Sequence, residues 1–176
     1  IFMIEPKVFA PNLETMLSNT HQKKCLESEL SNIHNKALIE HKNFRDILSS
    51  KDMNVSWTKG SNECPDDLFC NNWISTHINN SMFLYPMLAK NRRKERRNDI
   101  IKSFSNFYLL KKNYSDYEKK NKFLEGTGSL VLDRAFKKAY AVKSPRTNES
   151  LVKKWCKDNQ YEAIIFDCFN PSGHSE

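Results

Sequence analysis

Phe123-Leu124-Glu125-Gly126-Thr127-Gly128-Ser129-Leu130-Val131-Leu132-Asp133-Arg134 is the stretch on which the reading of the chain turns. An apolar pair leads into an acid, two glycines bracket a threonine, and an apolar run follows. Glycine occurs only four times in 176 residues, well below the ~7% of average usage. Two glycines one residue apart therefore mark a place where backbone turns or is approached closely. On the C-terminal side, Ser129–Leu132 and Ala139–Val142 read as two strands of a hairpin. Asn148 then caps a helix that carries Leu151, Val152, Trp155 and Cys156 on one side. Ala163-Ile164-Ile165-Phe166 is the centre of a strand running from Tyr161 to Phe169, apolar enough to be covered on both faces. Strand, strand, helix, strand is a ββαβ unit, and it predicts an α/β architecture.

Upstream, Phe2–Phe9 reads as a short strand closed by Ala10-Pro11-Asn12. Leu26, Leu30, Ile33, Ala37, Phe44 and Leu48 recur at helical spacing and predict an amphipathic helix from about Gln22 to Ser49. Short strands follow at Val55–Trp57, Asp67–Phe69, Trp73–His77 and Met82–Tyr85. Asn91 is expected to cap a helix whose inward stripe is Arg93, Arg97, Ile100 or Ile101, Phe104 and Tyr108, and 114–122 reads as polar and irregular. No repeat or low-complexity linker interrupts the chain, so a single domain over 1–176 is expected. The turn-like Pro171–Glu176 directly after a strand pattern predicts continuation into a further strand, as expected of a C-terminally truncated fragment.

Composition excludes several classes. With 39% apolar residues, eleven Phe, six Tyr and three Trp, the chain can offset the entropy of ordering and is not wholly disordered. No apolar run approaches the ~20 residues that cross a bilayer, and no basic leader with an apolar core opens the chain. A soluble, cytoplasmic protein is expected. Five cysteines without a CxxC pair indicate neither a disulfide framework nor a zinc site, and no metal or cofactor is expected. The net charge of +7 is concentrated between Lys90 and Lys122, where twelve Lys or Arg face four acids. With Tyr108, Tyr114 and Tyr117 interleaved, this region suits single-stranded nucleic acid. Against that, its arginines open a helix, where the macrodipole disfavours cations. Nucleic-acid or partner binding by an inactive fragment is therefore the second reading.

Two acidic motifs carry the first. Asp66 and Asn72 flank the short segment of Pro65-Asp66-Asp67-Leu68-Phe69-Cys70-Asn71-Asn72-Trp73, and Glu125 precedes the Gly-Thr-Gly turn. Carboxylates and amides at turn edges suit a planar, nitrogen-rich ligand, because carboxylate oxygens accept its N–H donors in pairs. From spacing alone, Asp66 reads equally as a turn former and Glu125 as a surface acid. Cys70 with His77, and Cys168 with His174, are the nearest thiol–imidazole pairs. Neither has a third group, and both cysteines read as structural.

Beyond spacing, the run Asp66–His77, the stretch Leu84–Arg97, the segment Phe123–Arg134 and Ser144-Pro145-Arg146-Thr147 together resemble the amidinotransferase-related branch of the pentein superfamily, which includes arginine deiminases, dimethylarginine hydrolases and citrulline-hydrolysing relatives. Met3-Ile4-Glu5-Pro6 and Asn12–Gln22 are similar to its start. The resemblance implies a propeller of five ββαβ units, of which this chain supplies about three. It also implies a cysteine thiolate that attacks a guanidino or ureido carbon, with a histidine that protonates the leaving amine, both beyond residue 176. Under it, Glu125 is the catalytic carboxylate, able to orient that histidine, and Asp66 and Asn72 bind an arginine- or citrulline-like substrate. Arg93, Arg97 and Arg146 are candidates for the carboxylate of an amino-acid substrate. Asn72 stands where many relatives carry an aspartate, and Thr127-Gly128-Ser129 replaces a Gly-Asp.

Overall fold

The computed structural model describes residues 1–16, 22 and 25–169. Two compact units divide the chain, residues 1–70 and 71–176.

In the first unit, β1 (Phe2–Glu5) pairs in parallel with β2 (Ser56–Lys59), and the crossover between them is α1 (Leu30–Ser50). A 3₁₀ turn, Glu27–Glu29, leads into α1, and the Glu29 side chain accepts the Leu26 N–H at 2.9 Å. The helix thus begins later than its apolar spacing predicts. Phe44, assigned to the apolar stripe, is exposed together with Ile39 and Ile47. The side facing the sheet is instead partly polar. Arg45 reaches Glu5 at 3.1 Å and covers the Trp57 ring at 4.0 Å. Asp67–Phe69 is a turn and not a strand. Asp67 is buried, and its carboxylate accepts the Ser61 N–H instead of lying on a pleat.

The second unit holds two ββαβ units. In the earlier one, β3 (Ile74–His77) and β4 (Ser81–Leu84) are antiparallel, α2 (Asn98–Phe104) crosses over, and β5 (Leu109–Asn113) returns parallel to β4. In the later one, α3 (Gly126–Ser129) is a single helical turn leading into the antiparallel pair β6 (Val131–Asp133) and β7 (Lys138–Val142). Then α4 (Glu149–Asn159) crosses over, and β8 (Glu162–Phe166) returns parallel to β7. The Asn148 side chain accepts the Leu151 N–H, so α4 starts at the expected cap. Leu151, Val152, Trp155 and Cys156 bury its inner face against Phe83, Tyr85, Tyr114, Leu124, Ala139 and Ala141. Burial pushes the Cys156 thiol up to about 11, which keeps it protonated and inert at neutral pH. β8 is only half-buried, with Phe166 at 45% exposure, because it is an edge strand.

The basic region departs most from its expected form. Asn91–Glu95 is a 3₁₀ helix that begins after Lys90, the chain extends at Arg97, and α2 is a separate short helix. Period three replaces period 3.6. The face turned inward is therefore Arg92 and Glu95, both buried, while Arg93 and Arg97 are only partly buried.

A polar chain crosses the two ββαβ units. The Arg134 guanidinium lies 3.2 Å from His77 Nδ1, His77 Nε2 lies 3.0 Å from Ser75 Oγ, and Ser75 Oγ lies 2.7 Å from Tyr85 OH, which also accepts from Trp155 Nε1 at 3.1 Å. The imidazole packs edge-on to Phe83 at 5.0 Å. Desolvation first, then the charges of Arg134, Lys111 and Lys137, hold His77 down at about 4. The folded protein therefore keeps it neutral while the unfolded chain takes up a proton near its ordinary value of about 6.5. Its contribution is complete above that value and is lost as pH falls through 6.5 towards 4. The loss is at most about 3 kcal/mol, and less because solvent screens a partly exposed ring. Urea midpoints of the wild type are expected to drop between pH 7 and 4.5, and His77→Gln should flatten that drop. Equal losses in both proteins would assign the acid limb elsewhere.

Candidate active site

Glu125 is buried at 1% exposure, at the N-terminal edge of α3. Its backbone N–H donates to Ser129 Oγ at 2.8 Å. That hydroxyl also accepts from Thr147 Oγ1 at 2.8 Å and donates to the Arg146 carbonyl at 2.9 Å. The serine thus ties the Gly-Thr-Gly turn to the Ser144–Thr147 loop. The carboxylate is held from the other side, where Oε1 accepts the Leu88 N–H at 3.0 Å. Oε2 faces two guanidinium groups, with Arg92 Nη1 at 3.8 Å and Arg146 Nη1 at 3.7 Å. Both separations are ion-pair distances too long for hydrogen bonds. The carboxylate is therefore buried, with Oε1 fixed by the Leu88 N–H and the residue's own N–H tied to Ser129.

Both glycines serve close approach. Gly126 has φ +40°, and a Cβ there would strike the Asn71 carbonyl oxygen and lie 2.9 Å from that of Asn72. A Cβ on Gly128 would press on the Asn72 carboxamide at 3.2 Å. Thr127 Oγ1 accepts from Asn71 Nδ2, and Asn71 Nδ2 also reaches Asn72 Oδ1 at 3.3 Å. Asn72, expected from the sequence to bind substrate, is thereby brought to the same turn as Glu125.

The arginines divide by what they hold. Arg92 makes a two-pronged pair with Glu95, Nε to Oε1 at 2.8 Å and Nη2 to Oε2 at 3.0 Å. That pair aims the remaining nitrogen at Glu125. Arg93 donates to the Met87 carbonyl at 2.9 Å and the Leu88 carbonyl at 3.1 Å, fixing the loop whose Leu88 N–H holds Glu125. Arg97 instead pairs with Asp99 at 2.6 Å and holds that exposed carboxyl below its ordinary range. Arg146 alone of these borders an open cleft of about 240 Å³, beside Thr127, Gly128, Tyr140, Thr147 and Cys168.

In the first unit, Asp66 Oδ2 accepts from Asn12 Nδ2 at 2.7 Å, and Asn12 is itself buried. The pair fixes the Asp66 carboxylate. Of the thiol–imidazole pairs nearest in sequence, the His77 ring nitrogens face Ser75 and Arg134, and His174 lies outside the described residues. Among the described residues, no three His, Cys, Asp or Glu gather as a metal site. None of the described helices is long and apolar enough to cross a membrane.

The family model for eukaryotic N,N dimethylarginine dimethylhydrolase matches residues 5–175. The chain belongs to this family. No curated protein matches the sequence. Among solved structures, the dimethylhydrolase-family chain is similar to the substrate-bound N-terminal domain of an arginine dihydrolase from cyanobacteria, with a TM-score of 0.68, 16% identity, 93% of this chain covered and 56% of that one. It is similar to a dimethylarginine dimethylaminohydrolase adduct with S-methyl-L-thiocitrulline, with a TM-score of 0.65, 15% identity, and 98% and 63% covered. The enzyme from Pseudomonas aeruginosa complexed with citrulline gives a TM-score of 0.61, 14% identity, and 94% and 60% covered. At these identities the likeness establishes the fold, an α/β protein of pentein type. The chain spans between 56% and 63% of the length of these three relatives.

For this dimethylhydrolase-family member, spacing overlooked Arg92, Glu95 and Asn12. The run Arg92-Arg93-Lys94-Glu95 does hold a signal, an arginine and a glutamate three apart, which share a face when the period is three.

Proposed function

We propose that this chain is the substrate-holding part of a hydrolase that cleaves a carbon–nitrogen bond in the guanidino group of arginine or N-methylated arginine. The observation that carries the reading is Glu125, a buried carboxylate whose Oε1 accepts the Leu88 N–H, whose own N–H is held by Ser129 Oγ, and whose Oε2 lies 3.7 Å from Arg146, a residue lining the open cleft. Family membership supports the same reaction class. Glu125, with Asn72 beside it, accepts the guanidino N–H donors. Arg146, the guanidinium bordering the cleft, receives the substrate's α-carboxylate, with Arg93 and Arg97 the other candidates. Arg92, locked to Glu95, presents a positive charge 3.8 Å from Glu125 Oε2.

The attacking thiolate and the histidine acid are assigned to the part of the relatives' length that this chain does not span. The thiolate bonds to the guanidino carbon, the C–N bond to the amine breaks, and the histidine protonates the leaving amine. Water then adds to the same carbon, giving up a proton to the histidine, and the carbon–sulfur bond breaks to release a ureido product and restore the thiolate. The 176 residues alone are expected to bind without turning over. Full-length protein is expected to release dimethylamine and citrulline from N,N-dimethylarginine, or ammonia from arginine. Absence of amine release from arginine, citrulline and every methylated arginine would overturn the substrate class.

A further inference from the structure

The Glu125 constellation lies at one end of the strands of the second unit, and the opposite end has no part in the proposed reaction. Beside the site, Leu124 and Ser144 bridge to Thr147. The 134–137 turn closes the other end of the β6–β7 pair, where the Glu162 N–H donates to the Lys137 carbonyl at 2.7 Å as β8 begins. The β3–β4 turn at 78–80 lies at that end too, because Arg134 reaches His77, the last residue of β3, at 3.2 Å. The junction between α2 and β5 joins them, with the Leu109 N–H donating to the Asn80 carbonyl at 2.8 Å. Three tips from two ββαβ units therefore share one end.

These tips carry large apolar side chains in the open. Ile78 is 95% exposed, Phe107 74%, Leu109 75% and Phe136 76%. Turns ordinarily carry small or polar residues, so four apolar side chains gathered at one end mark an interaction surface. Their setting is basic. Segments 77–80, 107–111, 133–138 and 161–162 hold Lys111, Arg134, Lys137 and Lys138 against Asp133 and Glu162. Asp133 Oδ1 is turned back onto the Ala135 and Phe136 N–H groups, and Glu162 stands opposite Lys138 in the β7–β8 register. Lys111, Arg134 and Lys137 are exposed.

We propose that this end of the second unit docks on an anionic lipid bilayer, with Ile78, Phe107, Leu109 and Phe136 entering the headgroup region and Lys111, Arg134 and Lys137 meeting the lipid phosphates and carboxylates. Charge and shape select this occupant. A second copy of the same surface would bring like charges together. Single-stranded nucleic acid would use the cations and the two phenylalanines, but Ile78 and Leu109 give its bases no ring to stack on. A bilayer surface takes isolated apolar tips at the boundary of headgroup and acyl chain, and its negative potential draws the surrounding lysines and arginine. Arg146 follows the opposite end of β7, so docking leaves it accessible.

The test is sedimentation of the full-length protein with vesicles of phosphatidylcholine alone and of phosphatidylcholine containing about three parts in ten phosphatidylserine. Binding is expected on the mixed vesicles, about tenfold or more above that on phosphatidylcholine, and it should fall as sodium chloride is raised. Ile78→Ser and Phe136→Ser should each weaken it about tenfold, and Arg134→Gln and Lys137→Gln about fivefold each. All four side chains are exposed, so melting temperatures within a few degrees of wild type check that the variants are folded. No sedimentation with the mixed vesicles, equal binding to both compositions, or wild-type binding by Ile78→Ser and Phe136→Ser would overturn the proposal. So would binding of an oligothymidylate in place of vesicles, which would give the surface to nucleic acid.

Discussion

Glu125→Gln in the full-length protein is expected to lower turnover by about 10²–10⁴-fold, with little loss of folded stability. The two effects separate because of what each atom touches. The amide oxygen of glutamine still accepts the Leu88 N–H, and the backbone bond to Ser129 is unchanged. Arg92 keeps its two-pronged pair with Glu95, and Arg146 borders the open cleft, so neither guanidinium is left buried and unpaired. What disappears is the charge and the second acceptor offered to a planar cation in the transition state. A melting temperature within a few degrees of wild type, together with a collapsed kcat/KM, is the expected pair of readings. Retained turnover would remove Glu125 from the chemistry.

Glu95 makes the same logic visible from the opposite side. It is as buried as Glu125, yet both of its oxygens are taken by Arg92. Glu95→Ala would strand a buried guanidinium and cost about 3–5 kcal/mol. Denaturant midpoints of the full-length protein check this, and an unchanged midpoint would mean that the pair does not hold the 3₁₀ segment.

What could be read ahead of the structure follows from how local each determinant is. Asn148 was legible because one side chain and one N–H three residues on make the cap. The β6–β7 hairpin and the inner face of α4 were legible for the same reason, since their patterns lie within a few residues. β5 was not. Leu109-Leu110-Lys111-Lys112-Asn113 has no alternation, is exposed along its length, and is a strand only because β4 pairs with it in parallel after a crossover. The inward position of Arg92 was hidden by a change of period from 3.6 to three. Asp67 outcompeted strand formation by binding the Ser61 N–H, a contact six residues away that composition cannot encode. At the site, the Glu-Gly-Thr-Gly cluster announced itself through the rarity of glycine, whereas the Asn71 and Asn72 carbonyls and the Leu88 N–H act through backbone and leave no mark on residue type.

Gly126→Ala is expected to destabilise the full-length protein by more than about 3 kcal/mol and to abolish activity. Two penalties coincide at that position. The backbone lies at φ +40°, where any Cβ is strained, at a cost of about 1 kcal/mol or more. The added methyl would also meet the carbonyl oxygens of Asn71 and Asn72, which are backbone and cannot rotate aside. Relief requires that α3 lift away from the 71–72 segment. Lifting it moves Glu125, whose N–H is bonded to Ser129 within the same turn, and separates it from the Asn72 carboxamide. Gly128→Ala supplies the contrast. Its Cβ would meet only the end of the Asn72 side chain at 3.2 Å, and its φ lies outside the left-handed region. That variant should stay folded and lose activity through a displaced Asn72, visible as a rise in KM larger than any shift in melting temperature. If Gly126→Ala and Gly128→Ala unfold at the same denaturant concentration, the close approach of α3 to the Asn71–Asn72 backbone is not what holds the Glu125 turn in place.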